Sequence, residues 1–372
     1  MKKIFLSLAL TIVQVSMLNA QTNKTFFLGH SLINFHTPNM VNKLSIAAGK
    51  TYSYDANIGI GSNLMNHWNN PNSGQGSDWI TTLPIGGFEN FIITEAVPLL
   101  PHLQWSNTYR FADSLYQFAM QQNPDIQYYI YETWHCTTTG TPEGCEWDND
   151  DALAWRPRLT ADLVHWESIA DSMNLIHDKE MLIIPAGQAM GRLHDSIMAN
   201  SIPGITSMDQ LFGDDIHLTY SGIYFIACLM YGVIHKESPV GLPNQLTTEW
   251  DVLYDDYPTP AQALMMQNIA WSTLCDYPRD GVNCLPLSVY EIDNASTVFT
   301  VYPNPSKDKI IITGQDTFSK VEIVNILGET VYAEENLDTT THELNLTGLK
   351  SGVYFVKVSN ESGSHSKKVL VE

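Results

Sequence analysis

Positive charge is scarce in this chain. Lysine and arginine number 19 against 40 aspartate and glutamate, for a net charge of -21. No Lys/Arg block stands out that could follow a phosphate backbone, so nucleic acid is not an expected partner. Charged residues of both signs make up only 16% of the 372, whereas hydrophobic residues make up 44%. That balance excludes general disorder and leaves ample material for a core. Beyond residues 1–20 no apolar run reaches membrane-spanning length, so no transmembrane helix is expected there. Cysteine is limited to five residues, and His135, Cys136 and Cys145 lack a second ligand pair at matching spacing. A zinc site is therefore not expected. The acidic stretch Glu146–Asp151 lacks the glycine and terminal glutamate of a calcium-binding loop and reads as solvated.

The N-terminus is more informative. Lys2 and Lys3 precede the apolar run Ile4–Leu18, and the small residue Ala20 stands just before Gln21. This is the pattern of a secretory signal peptide over residues 1–20. Export implies an oxidising compartment, where four of the cysteines can pair. Cys136 with Cys145 and Cys275 with Cys284 is the one connectivity of three that closes two short loops, each in a segment rich in turn residues. Cys228, inside the apolar run Ile226–Met230, reads as a buried inert thiol.

Residues 24 to 236 alternate short apolar runs with helix-like segments. The runs are Thr25–Leu28, Tyr52–Ile58, Phe91–Thr94, Ile126–Tyr131 and Met181–Pro185; the helical segments include Asn39–Ala48, Thr108–Gln122 and Leu159–Met173. A closing helix follows Gly222. Such alternation predicts a parallel sheet covered by helices on both faces. From residue 297 the texture changes to short strands separated by turns: Val298–Tyr302, Lys309–Thr313, Lys320–Ile326, Thr330–Ala333, Glu343–Leu346, Val353–Val358 and Lys367–Val371. These predict a small β-sandwich. The expected division is a signal peptide (1–20), an α/β domain (21–284), a linker (285–298) and a β-domain (299–372).

The first strand runs into Phe27-Leu28-Gly29-His30-Ser31-Leu32. A serine directly after the carboxyl end of the first strand lies where open α/β sheets put their ligands. Far along the chain stands Gly213-Asp214-Asp215-Ile216-His217-Leu218-Thr219. On a turn, Asp214 can hold one ring nitrogen of His217 while the other faces a serine. Ser31, Asp214 and His217 then supply a nucleophile, an orienting carboxylate and a general base.

These blocks resemble the SGNH (GDSL-like) hydrolases over residues 24–236. The resemblance implies a flavodoxin-like parallel sheet. It makes Ser31 the nucleophile, His217 the base and later the acid, and Asp214 the group that orients His217, with no cofactor or metal. It places the oxyanion hole at the N–H groups of Ser31 and a glycine after the second strand, Gly61 first and Gly59 second. Two departures stand out: His30 replaces the usual acidic or amide residue, and Phe91-Ile92-Ile93-Thr94-Glu95-Ala96 occupies the place of the family's Gly-x-Asn-Asp block. An ionised Glu95 cannot donate, which leaves Gln188 or the two N–H groups to serve.

The C-terminal blocks Val301-Tyr302-Pro303-Asn304-Pro305, Val324-Asn325-Ile326-Leu327-Gly328, Leu349-Lys350-Ser351-Gly352-Val353-Tyr354 and Lys367-Lys368-Val369-Leu370-Val371 resemble the type A sorting domain of the type IX secretion system. That implies passage through the periplasm of a Bacteroidota-like bacterium, with the secretion machinery as partner through residues 299–372, and a secreted or surface-attached product. Seven tryptophans lie between residues 68 and 166. Trp68, Trp105, Trp134, Trp147 and Trp155 fall in or beside expected loops. Taken together they suit a cleft that stacks on sugar rings, with the 135–158 insertion as its wall. The expectation is a secreted serine esterase acting on short acyl esters of carbohydrate, most simply acetyl. The alternatives are a non-catalytic glycan-binding surface protein and a lipase or acyl-transferase.

Overall fold

The computed structural model describes residues 23–145, 148, 153–284, 299–325, 330–360 and 363–371. The expected signal peptide, the expected linker and the acidic stretch apart from Asp148 lie outside the described residues. The chain separates into two compact units, 1–284 and 285–372.

The elements of the first unit are β1 (Asn23–Gly29), α1 (His36–Ala47), β2 (Tyr52–Ile58), α2 (Leu64–Asn69), β3 (Gln75–Gly76), α3 (Trp79–Thr82), β4 (Asn90–Ile93), α4 (Leu99–Trp105), α5 (Thr108–Gln122), β5 (Gln127–Glu132), α6 (Trp155–Ile176), β6 (Met181–Pro185), α7 (Ala186–Met198), α8 (Tyr220–His235) and α9 (Pro260–Asp276). One sheet runs in the order β3-β2-β1-β4-β5-β6, parallel throughout except for the two-residue β3 on its edge. The five parallel strands thus follow the flavodoxin-like order. Their topological switch point lies between β1 and β4, where such sheets open a crevice at the strand carboxyl ends.

Both faces of the sheet are apolar because alternate side chains point to opposite sides and helices cover each. Phe27, Ile92, Tyr129, Tyr131 and Ile184 pack against α1, α7, α8 and α9. Phe26, Leu28, Phe91, Ile93 and Ile130 pack instead against α5 and α6. Each such side chain, fully buried, contributes roughly 1.5–3 kcal/mol. The unexpected helix α9 is announced by a capping box, Thr259 and Gln262, with Pro260 at its first turn. It places Cys275 in its last turn, where the sequence suggests a loop. Cys275 pairs with Cys284, Cys136 pairs with Cys145, and Cys228 is a buried free thiol. Among the described residues no helix is long and apolar enough to cross a membrane.

The second unit is all-β: β7 (Phe299–Tyr302), β8 (Lys309–Asn325), β9 (Thr330–Asn345), β10 (Gly352–Asn360) and β11 (Gly363–Val371). Two long strands replace four expected short ones. β8 continues through Gly314–Ser319 and β9 through Glu334–His342, with register shifts between Thr313 and Lys320. The polar residues there read as turns, but bulges let a strand bend without ending. The first half of β8 pairs with β7 and the second half with β10, while β9 pairs with both halves. Ile310 and Ile312 from one half and Val321 and Ile323 from the other share a single core with Val356 and Leu344.

Candidate active site

Ser31 is carried on the turn that leaves β1. The His30 carbonyl accepts hydrogen bonds from the amides of Ile33 (3.0 Å) and Asn34 (3.2 Å), which closes the turn around Ser31. Gly29 is required for space: a Cβ there would sit 2.6 Å from Ile33 Cδ1 and 2.7 Å from Thr94 Cγ2. His30 is buried. Its Nδ1 accepts from the Leu32 amide (3.3 Å), so Nε2 bears the proton and donates to the Glu95 carbonyl (3.0 Å). Burial, opposed by that bond, lowers its pKa to about 4, so the ring is a neutral brace beside Ser31.

The Asp214–His217 turn is equally constrained. The Gly213 amide donates to the His217 carbonyl (2.7 Å), and Phe212 bridges Leu218. Asp214 Oδ1 accepts from the amides of Ile216 (2.9 Å) and His217 (2.6 Å). From outside the turn, Trp134 Nε1 donates to the Ile216 carbonyl (2.8 Å), and the Thr137 amide donates to the Asp215 carbonyl (2.7 Å). Thr219 then caps α8, its hydroxyl accepting from the Gly222 amide.

These two turns meet at the carboxyl ends of the strands. His217 Nδ1 donates to Asp214 Oδ2 at 2.7 Å, and the Ser31 hydroxyl donates to His217 Nε2 at 2.8 Å. Burial works to raise the Asp214 carboxyl, but the amides of His217 and Ile216 and the His217 ring outweigh it and hold the group below its ordinary range. Asp214 is therefore an anion that fixes the tautomer of His217. Ser31 and His217 line a cavity of about 570 Å³ together with Leu32, Trp134, Tyr220 and Asp256. An ester carbonyl in that cavity could be attacked by Ser31 Oγ, its proton passing to His217 Nε2.

The surroundings of the expected oxyanion donors differ from one another. The Gly59 amide is committed to the Gly29 carbonyl (2.8 Å). Gly61 has φ +63 and open space where a Cβ would lie. It is exposed, its amide has no backbone partner among the described residues, and it is not part of the cavity wall. Gln188 is not a substitute donor: its Nε2 is spent on Glu132 Oε1 (2.7 Å) and the Leu159 carbonyl (2.8 Å). Glu95 is fully buried, and its carboxyl binds the amides of Leu64 (3.2 Å) and Ala96 (2.8 Å) and the Thr108 hydroxyl (2.7 Å). Burial, partly offset by these bonds, raises its pKa to about 7. It ties the start of α2 to the end of β4 and α5, which explains why a carboxyl stands where a donating amide was expected.

The aromatic cleft expected from the tryptophans does not form as expected. Of those described, only Trp134 lines the cavity. Trp155 opens α6 and is buried, Trp68 packs on Trp79 with centroids 5.6 Å apart, and Trp105 projects from α4. Trp147 lies outside the described residues. Among the described residues of the 135–158 insertion, Thr137 holds the Asp215 carbonyl and none lines the cavity. Within the insertion His135 donates to Asp162 (2.5 Å), and Arg158 pairs with Asp148. Missed from the sequence were Asp256, whose carboxylate holds the Ser221 amide (3.0 Å) and hydroxyl (2.9 Å), and His36 and Tyr220 on the cavity wall. Asp256 and the turn before it lie beyond residue 236, where no motif pointed to them.

No curated protein matches this chain. Among solved structures it is similar to a DUF4886 family protein from Bacteroides uniformis, at 17% identity and TM-score 0.50, covering 71% of this chain and 98% of that one. That likeness is one of fold. A carbohydrate esterase family 3 protein from Talaromyces cellulolyticus matches at 11% identity and TM-score 0.37, over 58% of this chain and 100% of the other. A GDSL-like lipase from Bacteroides thetaiotaomicron matches at 11% and 0.32, over 58% and 89%. Residues 300–372 match the family described as Secretion system C-terminal sorting domain, and the all-β second unit is such a sorting domain.

Proposed function

We propose that the first unit is a secreted serine esterase that removes short acyl groups, acetyl foremost, from carbohydrate. The observation that carries this reading is the unbroken relay from Ser31 through His217 to Asp214 at the mouth of a cavity. In the first half-reaction Ser31 Oγ adds to the ester carbonyl as His217 Nε2 takes its proton. The tetrahedral intermediate then collapses, His217 returns the proton to the leaving alcohol, and an acyl-serine remains. Water, deprotonated by His217, attacks that ester and releases the acid and free Ser31.

The oxyanion is assigned first to the N–H of Ser31 on the cavity wall, with the N–H of Gly61, which lies outside that wall, as the second candidate; the Gln188 side chain is committed elsewhere. Losing one donor costs about 2.7–4 kcal/mol of barrier, which slows such an enzyme without abolishing it. The sorting domain supports export. The fuller reading is a type IX route in a Bacteroidota-like bacterium, with residues 1–20 as a cleaved signal peptide and 299–372 removed near the 285–298 linker.

The deciding experiment compares the full chain with its Ser31→Ala variant on p-nitrophenyl acetate and on acetylated xylan. Turnover lost in the variant is expected. Equal rates would instead indicate a glycan-binding module.

A further inference from the structure

A second cavity, about 530 Å³, adjoins the first, and His36 lines both. Its wall combines Tyr54, Trp250 and Tyr254 with Asp55 and Glu249. Trp250 and Glu249 sit at the tip of a tight turn, closed by the Thr248 amide donating to the Val252 carbonyl (2.8 Å) and by the bridge from Thr247 to Leu253. Lys43 anchors that turn through Asp251 at 2.6 Å. The indole of Trp250 is 76% exposed, so it has little packing role to explain its place on the rim. Tyr254 is fixed by Asn39 Nδ2 at 2.9 Å and by His36 Nδ1 at 3.2 Å. Asp55 is engaged by Lys24 (3.0 Å) and by the Ser77 hydroxyl (2.9 Å). Glu249 has no ion-pair partner among the described residues.

Among the described residues no lysine or arginine lines either cavity. A uronate or sulfate would therefore enter without a free counter-charge and against the Glu249 carboxylate, Asp55 being already paired with Lys24. An uncharged sugar meets a better match: aromatic faces for the C–H face of its ring, and carboxylate oxygens that accept its hydroxyls. We propose that this second cavity is a subsite for a neutral pyranose ring of an acylated oligosaccharide. The chain would cross His36 so that an ester on the adjoining residue reaches Ser31. The proposal rests on the esterase reading and names the alcohol side of its substrate.

The test uses calorimetric titration of xylotetraose and mannotetraose into the full chain carrying Ser31→Ala, which retains ligand without turnover. Binding is expected, with a loss of about tenfold on adding Trp250→Ala and a smaller loss with Glu249→Gln. In the otherwise native chain, Trp250→Ala should raise KM about tenfold on acetylated xylo-oligosaccharide and leave p-nitrophenyl acetate turnover within about twofold. Trp250 is exposed, so the variant should fold. No binding of either tetrasaccharide, binding indifferent to Trp250→Ala, or a preference for oligogalacturonate or a glucosamine tetramer would overturn the subsite. Failure of p-nitrophenyl acetate turnover beside Trp250-sensitive binding would strike the esterase reading alone.

Discussion

The indole of Trp134 holds the backbone of Ile216, the residue just before His217, through a 2.8 Å hydrogen bond. Trp134 is itself fully buried, so a core side chain holds the Asp214–His217 turn in place. Replacing it by Phe keeps most of the apolar volume but leaves the Ile216 carbonyl without its donor, at a cost of about 1–3 kcal/mol. Because the affected turn carries His217 and Asp214, kcat on p-nitrophenyl acetate should fall about tenfold with KM little changed. Steady-state kinetics of Trp134→Phe checks this. A rise in KM at constant kcat would mean that Trp134 serves only as a wall of the cavity.

Glu95 is expected to be a structural residue. Its carboxyl faces the amides of Leu64 and Ala96 and the Thr108 hydroxyl. Glu95→Ala strands those buried donors and should destabilise the first unit by about 1–3 kcal/mol in urea unfolding. Glu95→Gln keeps a carbonyl acceptor and should retain turnover within a few fold. If Glu95→Gln removed activity while stability held, Glu95 would have to be reassigned to the reaction.

How far the sequence reached follows from what each signal depends on. The β1 turn and the Asp-x-x-His block were legible because a serine after the first strand and an Asp-x-x-His run just before a helix, here α8, are local patterns. The parallel sheet was legible because strands buried on both faces are short apolar runs, as in Phe91–Ile93. The roles of the tryptophans were not. Trp134 and Trp155 look alike in sequence, and only packing decides that one lines the cavity while the other is buried in α6. Gln188 was equally opaque, because its partner Glu132 is 56 residues away in sequence. The long strand β8 escaped notice because a bulge and a turn share the same polar residues.

Buried titratable groups set a pH window for stability. Burial raises Glu95 to about 7, Glu132 to about 8 and Asp280 to about 7, against hydrogen bonds that lower each. For such acids the folded state holds its proton longer than the unfolded chain, so the stability they contribute is lost as pH rises through those values. Burial also lowers His30, His67 and His235 to about 4. Their contribution is full above the ordinary histidine value and is lost as pH falls toward 4. The acid and histidine sets oppose each other between about pH 4.5 and 6.5. Burial also lowers Lys236 to about 8, so from about pH 7.5 its neutral folded form gains stability as pH rises and offsets the last of the carboxyl loss. The melting temperature of the first unit should therefore decline from about pH 6.5 to 7.5, and Glu132→Gln should flatten the decline. A melting temperature that climbs between about pH 6.5 and 7.5 would contradict this assignment.

The two disulfides should separate stability from activity. Each closes a loop of similar length, with a sequence separation of 9, so by loop-closure entropy each contributes about 2–3 kcal/mol. Their surroundings differ. Cys136 immediately precedes Thr137, whose amide and hydroxyl both donate to the Asp215 carbonyl, inside the Asp214–His217 turn. Cys275 lies in the last turn of α9, and neither it nor Cys284 belongs to the wall of either cavity. Replacing Cys275 and Cys284 together by Ser should lower the denaturant midpoint and leave kcat unchanged. Replacing Cys136 and Cys145 together should lower the midpoint by a similar amount and also reduce kcat several fold, because the turn loses its support from behind. Paired urea unfolding and p-nitrophenyl acetate kinetics on the two double variants make the comparison. Equal kcat in both would show that the Thr137 bond to Asp215 does not need the disulfide to hold the His217 turn.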